Sequence, residues 1–208
     1  MKLENLKINF LGDSITQGVG TTEPDNTFHQ IIKRECRLAE AYNCGISGTR
    51  IAKQTVPCCH SFDLYFALRA KVMPKDADAI VIFGGTNDFG HGDSKMGDIG
   101  STDIYTFYGA LNNLLSELKE DYPKAKLIFM TPLRRLTEDT PNHDGKILVD
   151  YVDAIIETCK KHNVAVIDLF RSDIMKPDDT DVIPDGLHPN DKGHLIMADY
   201  IAKELLKL

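Results

Sequence analysis

The run Asp78-Ala79-Ile80-Val81-Ile82-Phe83, followed at once by Gly84-Gly85, constrains the fold of this chain more than any other segment. It does not alternate apolar with polar residues, so it reads as a strand buried on both faces. Such strands occur at the centre of parallel sheets, where helices cover both sides. Parallel neighbours need long crossover connections, and the rest of the chain supplies them. Residues 7–11, 41–44, 126–130 and 164–169 read as further strands. Residues 26–40, 62–73, 104–118, 145–161 and 191–206 carry apolar residues at helical spacing. Right-handed βαβ units then give an α/β fold, a flavodoxin-like three-layer α/β/α sandwich with a five-stranded parallel sheet of order 2-1-3-4-5. With 208 residues and no internal repeat or linker, residues 1–208 are expected to form a single domain that buries about 70% of its unfolded surface.

Composition narrows the partners. The formal charge of −7 argues against nucleic acid, which recruits basic surfaces. The local basic clusters Lys33-Arg34-Glu35-Cys36-Arg37 and Arg134-Arg135 read as a solvated helix face and a polar loop. No apolar stretch approaches the roughly 20 residues of a membrane helix, so no membrane partner is expected. Residues 1–7 run directly into the first strand without a secretory apolar region, which makes a cytoplasmic location the expectation. Five cysteines form no paired zinc spacing, and the adjacent Cys58-Cys59 suit reduced thiols better than a strained disulfide. The scattered His and Asp residues assemble into no ligand cluster, so neither a metal nor another cofactor is expected. Oligomeric state is not encoded in any pattern of the chain.

The chemistry gathers where strands end. Parallel strands point the same way, so the loops after them share one rim, where α/β proteins place ligands. Gly12-Asp13-Ser14-Ile15-Thr16 follows the first strand and leaves a serine hydroxyl on a tight turn. Asn43-Cys44-Gly45-Ile46-Ser47-Gly48 follows the second, and its glycines free backbone N–H groups to face a ligand. Gly84-Gly85-Thr86-Asn87-Asp88 follows the central strand, and Asp185-Gly186-Leu187-His188-Pro189 precedes the last helix. Together they offer a nucleophile, a base, an orienting carboxylate and oxyanion donors. Each block alone is ordinary turn chemistry.

In order and spacing these four blocks resemble the SGNH, or GDSL, hydrolase family, with Ile15 where the family name has leucine. The resemblance spans essentially the whole chain and implies a flavodoxin-like fold and ester hydrolysis through an acyl-enzyme. Ser14 is then the nucleophile. His188, whose side-chain type titrates near neutrality, is its general base. Asp185, three residues before it, fixes the imidazole tautomer. The N–H groups of Ser14 and Gly48 and the Asn87 side-chain amide form the oxyanion hole. Asp13 reads as a brace of its own turn and not as an acid. Of the remaining histidines, His91 and His143 lie in the long rim loops 88–103 and 132–144, within reach of a substrate. Tyr105, Phe107 and Tyr108 read as core and helix surface.

The expected partner is a small-molecule ester. The polar loop 88–103 and the absence of tryptophan or an added lid favour a short acyl group, acetyl, on a carbohydrate or another polar alcohol. A lysophospholipase or acyl thioesterase of the same family is the alternative. A non-catalytic binding module is a third reading, disfavoured by the presence of Ser14, Asp185 and His188 together.

Overall fold

The computed structural model describes residues 1–55 and 64–208. Cys58, Cys59, His60 and the beginning of the helix read over residues 62–73 lie outside the described residues. In chain order the elements are β1 (Lys7–Gly12), α1 (Ser14–Gln17), α2 (Phe28–Cys36), β2 (Glu40–Gly45), α3 (Phe66–Ala70), β3 (Ala79–Phe83), α4 (Thr86–His91), α5 (Phe107–Asp121), β4 (Lys126–Met130), α6 (Leu148–Lys161), β5 (Ala165–Ile167) and α7 (Asp191–Lys207). The sheet has the order β2-β1-β3-β4-β5, with every pairing parallel. This is the expected α/β architecture.

Alternation along the strands sends side chains to two cores. Ile8, Phe10, Ala79, Val81, Phe83, Ile128, Met130 and Ile167 pack with α2 and α7. Leu11, Ile80, Ile82, Leu127 and Phe129 pack with α3, α5 and α6. All five residues of β3 are buried, as its unbroken apolar run requires. Asn9 is the buried polar exception within β1. It is fully buried and its Nδ2 donates to Pro74 O at 2.9 Å.

Several element boundaries differ from the sequence expectation, each for a local reason. Residues 24–26 form a short 3-10 turn, and Thr27 is extended, so α2 begins at Phe28; Arg37, in the left-handed region, ends it. Thr106 is extended and its side chain accepts the Gly109 N–H, capping α5 at Phe107 instead of residue 104. Tyr65 is extended, so α3 starts at Phe66, and it ends at Ala70, where the Lys71 N–H turns to Arg69 O. Residues 145–147 stay outside α6. β5 is shorter than expected and stops at Ile167, after which the Asp168 carboxylate accepts the Thr131 hydroxyl at 2.9 Å. The loop expected over residues 88–103 begins inside a helix, α4. Among the described residues no helix is long and apolar enough to cross a membrane.

The register lines up the strand ends. Gly12 pairs with Gly45 and with Phe83, Phe83 with Met130, and Met130 with Ile167. The segments that leave these five residues therefore begin level with one another on one rim. Helix α5 fixes the layer on one side, with Leu111, Leu114, Leu115 and Leu118 wholly buried. Leu111→Ala is expected to cost about 2–5 kcal/mol by loss of burial and creation of a cavity. Urea unfolding checks this, with Val72→Ala at a position 85% exposed as the control. A cost for Leu111→Ala no larger than that of the control would contradict the packing described.

Candidate active site

Ser14 sits at the first position of α1, a single helical turn grown directly from the end of β1. Asp13 caps the turn, its Oδ1 accepting the Ile15 N–H at 3.1 Å, which is the bracing role its sequence context suggests. Gly18 closes the turn at φ 106°, and both Gly18 N–H and Val19 N–H donate to Ser14 O. There is no space for larger residues beneath the turn. A Cβ on Gly12 would lie 2.0 Å from Thr16 Oγ1, and one on Gly45 would lie 2.3 Å from Gln17 N.

His188 reaches Ser14 from the opposite end of the chain. Its Nε2 is 3.0 Å from Ser14 Oγ, and its Nδ1 is 2.6 Å from Asp185 Oδ2. The second Asp185 oxygen accepts Leu187 N–H at 2.9 Å and His188 N–H at 2.7 Å. One carboxylate thus holds both the loop backbone and the imidazole ring, so the ring is aimed by the same group that pairs with it. With Nδ1–H donating to Asp185, Nε2 is the bare nitrogen and accepts from the serine hydroxyl. Partial burial works against ionisation of Asp185, but the His188 N–H, the imidazole and the Leu187 N–H outweigh it and hold its pKa down to about 2.

Two neighbouring loops lock this segment. Leu136 N–H donates to Gly186 O at 2.9 Å, and Gly186, at φ 75°, lies under the Leu136 side chain. On the other side Gly20, at φ 100°, approaches so closely that an added Cβ would stand 2.4 Å from Pro189 O. Asp191, at the start of α7, accepts both the N–H and the hydroxyl of Thr22, at 2.9 and 2.6 Å.

The candidate oxyanion donors occupy the next two strand ends. Gly48 follows β2 with φ 74°; among the described residues neither its N–H nor that of Ser14 has a partner. Asn87 lies on α4 just past β3 and is 4% exposed. Its Nδ2 donates to Thr49 O at 3.0 Å, and its Oδ1 is 3.0 Å from His91 Nε2. One amide hydrogen is therefore taken, and the other has no partner among the described residues.

Three arginines build the walls: Arg69 and Arg50, which no sequence motif marked, and Arg135, which the sequence placed only in a polar loop. Buried Arg69 donates to Gly12 O at 2.9 Å, Cys44 O at 2.6 Å and Thr49 Oγ1 at 2.9 Å, which ties the ends of β1 and β2 to the Gly48 loop. Arg50 donates to His91 O at 2.6 Å. Arg135 donates to Thr86 O and Oγ1, both at 3.1 Å. No spacing announced these roles, because the carbonyls and hydroxyls they bind are brought together only by the fold. Asp88 is also structural. Its oxygens accept Ile51 N–H at 3.0 Å and Ala52 N–H at 2.9 Å. Phe107 is core, as expected, while Tyr105 is 37% exposed and precedes α5 instead of lying on its surface. Among the described residues no group of three or more His, Cys, Asp or Glu side chains is placed to hold a metal ion.

A Ser–His–Asp line on the C-terminal rim of a parallel α/β sheet defines a class, that of serine-dependent hydrolytic sites built on strand ends. The chain belongs to the GDSL-like Lipase/Acylhydrolase family, whose model matches residues 10–196. One solved crystal structure is similar over 100% of this chain and 99% of its own, at 32% identity and TM-score 0.90. A protein from Lactobacillus plantarum is 29% identical over 98% of both chains, with TM-score 0.85. Among curated proteins, an acetylxylan esterase from Xylanibacter ruminicola is 27% identical over 216 aligned residues, covering 97% of this chain and 43% of that protein. The chain thus spans less than half the length of this relative.

The environment of Asp13 gives a pH signature. Burial raises its pKa from 3.8 to about 6, against the opposing pull of the Ile15 N–H and Arg69. The folded protein therefore holds this proton more tightly than the unfolded chain. The penalty for burying the ionised carboxylate is absent below about pH 4, grows up to about pH 6 and is complete above it. Asp13→Asn, which keeps a capping oxygen, is expected to gain stability relative to the parent across that window, on the order of 3 kcal/mol at full effect, and to level off above it. Melting curves of both proteins from pH 4 to 8 check the slope. A difference independent of pH would contradict the assignment.

Proposed function

We propose that this protein is a serine esterase that removes short acyl groups, acetyl in particular, from a carbohydrate or another polar alcohol through an acyl-enzyme. The observation that carries the reading is the continuous line Asp185 Oδ2–His188 Nδ1 at 2.6 Å and His188 Nε2–Ser14 Oγ at 3.0 Å. Ser14 Oγ attacks the ester carbonyl as its proton passes to His188 Nε2. Asp185 keeps the proton on Nδ1 and stabilises the imidazolium that forms. The Ser14 and Gly48 N–H groups and the free Asn87 amide hydrogen stabilise the developing oxyanion. The tetrahedral adduct then collapses, and the alcohol leaves with the proton from Nε2. A water, deprotonated by the same nitrogen, attacks the acyl-serine and releases the acid and free Ser14.

The short acyl preference is supported by the polar composition of the rim loop that follows α4, where residues 92–103 are mostly Gly, Asp, Ser and Lys. The relative named as an acetylxylan esterase supports an acetyl group on a sugar alcohol.

Nitrophenyl esters of graded length test both levels. The acetate is expected to be cleaved with kcat/KM at least about tenfold above the octanoate, since on a polar rim each extra methylene must be left in water. Ser14→Ala and His188→Ala are expected to lower kcat by at least about 10⁴-fold, and Asn87→Ala by about 10²-fold. Faster turnover of the octanoate would overturn the substrate class in favour of a lysophospholipase or thioesterase. Undiminished hydrolysis by Ser14→Ala would overturn the mechanism.

A further inference from the structure

The side-chain amide of an asparagine rotates about a soft terminal torsion with a broad, nearly two-fold profile. An amide used as an oxyanion donor therefore needs to be held in its plane, with nitrogen and oxygen on the correct sides. Asn87 is held at both ends. On one side Nδ2 donates to Thr49 O at 3.0 Å. That carbonyl belongs to a residue fixed by its own N–H and hydroxyl on Ile46 O and by Arg69 on its hydroxyl. On the other side Oδ1 is 3.0 Å from His91 Nε2, one helical turn further along α4.

The proton on His91 can be placed. Its Nδ1 faces Arg50 Nη1 at 3.5 Å, and the same guanidinium donates to His91 O at 2.6 Å. A guanidinium carries only donors, so the ring nitrogen beside it is the bare one. The hydrogen then resides on Nε2 and donates to Asn87 Oδ1. Partial burial, followed by the charges of Arg50 and Arg135, holds the His91 pKa below the usual range, in keeping with a neutral ring. Flipping the Asn87 amide would set its NH₂ against the His91 N–H and its oxygen against the Thr49 carbonyl, so both contacts would be lost at once.

We infer that His91 is a positioning residue for the hydrolytic reaction, its Nε2–H holding the Asn87 amide so that the second amide hydrogen stays aimed at the oxyanion. The inference rests on reading Asn87 as an oxyanion donor. It replaces the sequence expectation that His91 meets the substrate. Arg50 acts one step further back, by fixing the tautomer of His91.

A double-mutant cycle on nitrophenyl acetate tests it, using His91→Ala, His91→Gln, Asn87→Ala and the combination of His91→Ala with Asn87→Ala. His91→Ala is expected to lower kcat about tenfold with KM within about twofold, because a misaligned donor weakens only transition-state binding. His91→Gln, whose amide can still donate, is expected to recover most of that loss. In the Asn87→Ala background, His91→Ala is expected to cause no further loss. Three results would each overturn the inference: a rise in KM with kcat unchanged, which marks a substrate contact; an equal loss in both backgrounds; or His91→Gln no better than His91→Ala. If Asn87→Ala itself leaves kcat unchanged, the oxyanion reading fails and takes this inference with it. A loss in Asn87→Ala beside an unaffected His91→Ala removes the inference alone.

Discussion

Everything at the rim depends on how β1 ends. The strand is buried, and it converts into a helical turn within two residues, so tightly that Gly12 has no space for a side chain: an added Cβ would meet Thr16 Oγ1 at 2.0 Å and Phe83 O at 3.0 Å. The turn therefore lies flat across the ends of its neighbours β2 and β3. That close approach sets Ser14 level with the loops that carry Gly48 and Asn87. Buried Arg69 donates to the carbonyls of Gly12 and Cys44 at these strand ends, and Gly12 O also accepts the Ile46 N–H at 3.2 Å. A glycine, a capping aspartate and one guanidinium together fix a serine hydroxyl to a sheet edge.

The carboxylates divide by environment. Asp13 and Asp88 are buried, and burial raises both to about 6; their oxygens hold backbone N–H groups of the turn and of residues 51–52. Asp185 is the more open one, and its hydrogen bonds keep it ionised down to about 2. A base-orienting role needs a carboxylate that stays charged, and that is the one aligned with His188. Behind the turn, His29 Nε2–H donates to Thr16 O, 3.0 Å away, and His194 Nδ1 accepts the Phe28 N–H at 3.1 Å. Burial depresses both to about 4, so they act as neutral packing groups under the site.

The sheet and its order were legible because β3 and β4 are apolar on both faces and each strand is followed by an amphipathic helix. Helix ends were less so. Apolar Ile104 drew the start of α5 forward although Thr106, a good capping residue, stood two positions on. Ser14, Gly48, Asn87, Asp185 and His188 were legible as chemistry because each follows a strand or precedes a helix in a short motif. The contacts that orient them were not. Arg69, Arg50 and His91 act on groups that are distant in sequence or, for His91, on a side chain whose amide orientation no spacing reveals. Sequence records which groups are present; the partners of a buried guanidinium are known only once strand ends have been brought level.

The proposed reaction depends on one atom, Ser14 Oγ, being activated by His188. Labelling with a fluorophosphonate, followed by peptide mass mapping, measures that directly. One equivalent of phosphonyl group is predicted on the peptide containing Ser14, with none after Ser14→Ala and a labelling rate slowed by about 10³-fold or more after His188→Ala. Label on another residue, label that persists after Ser14→Ala, or a rate indifferent to His188 would contradict it.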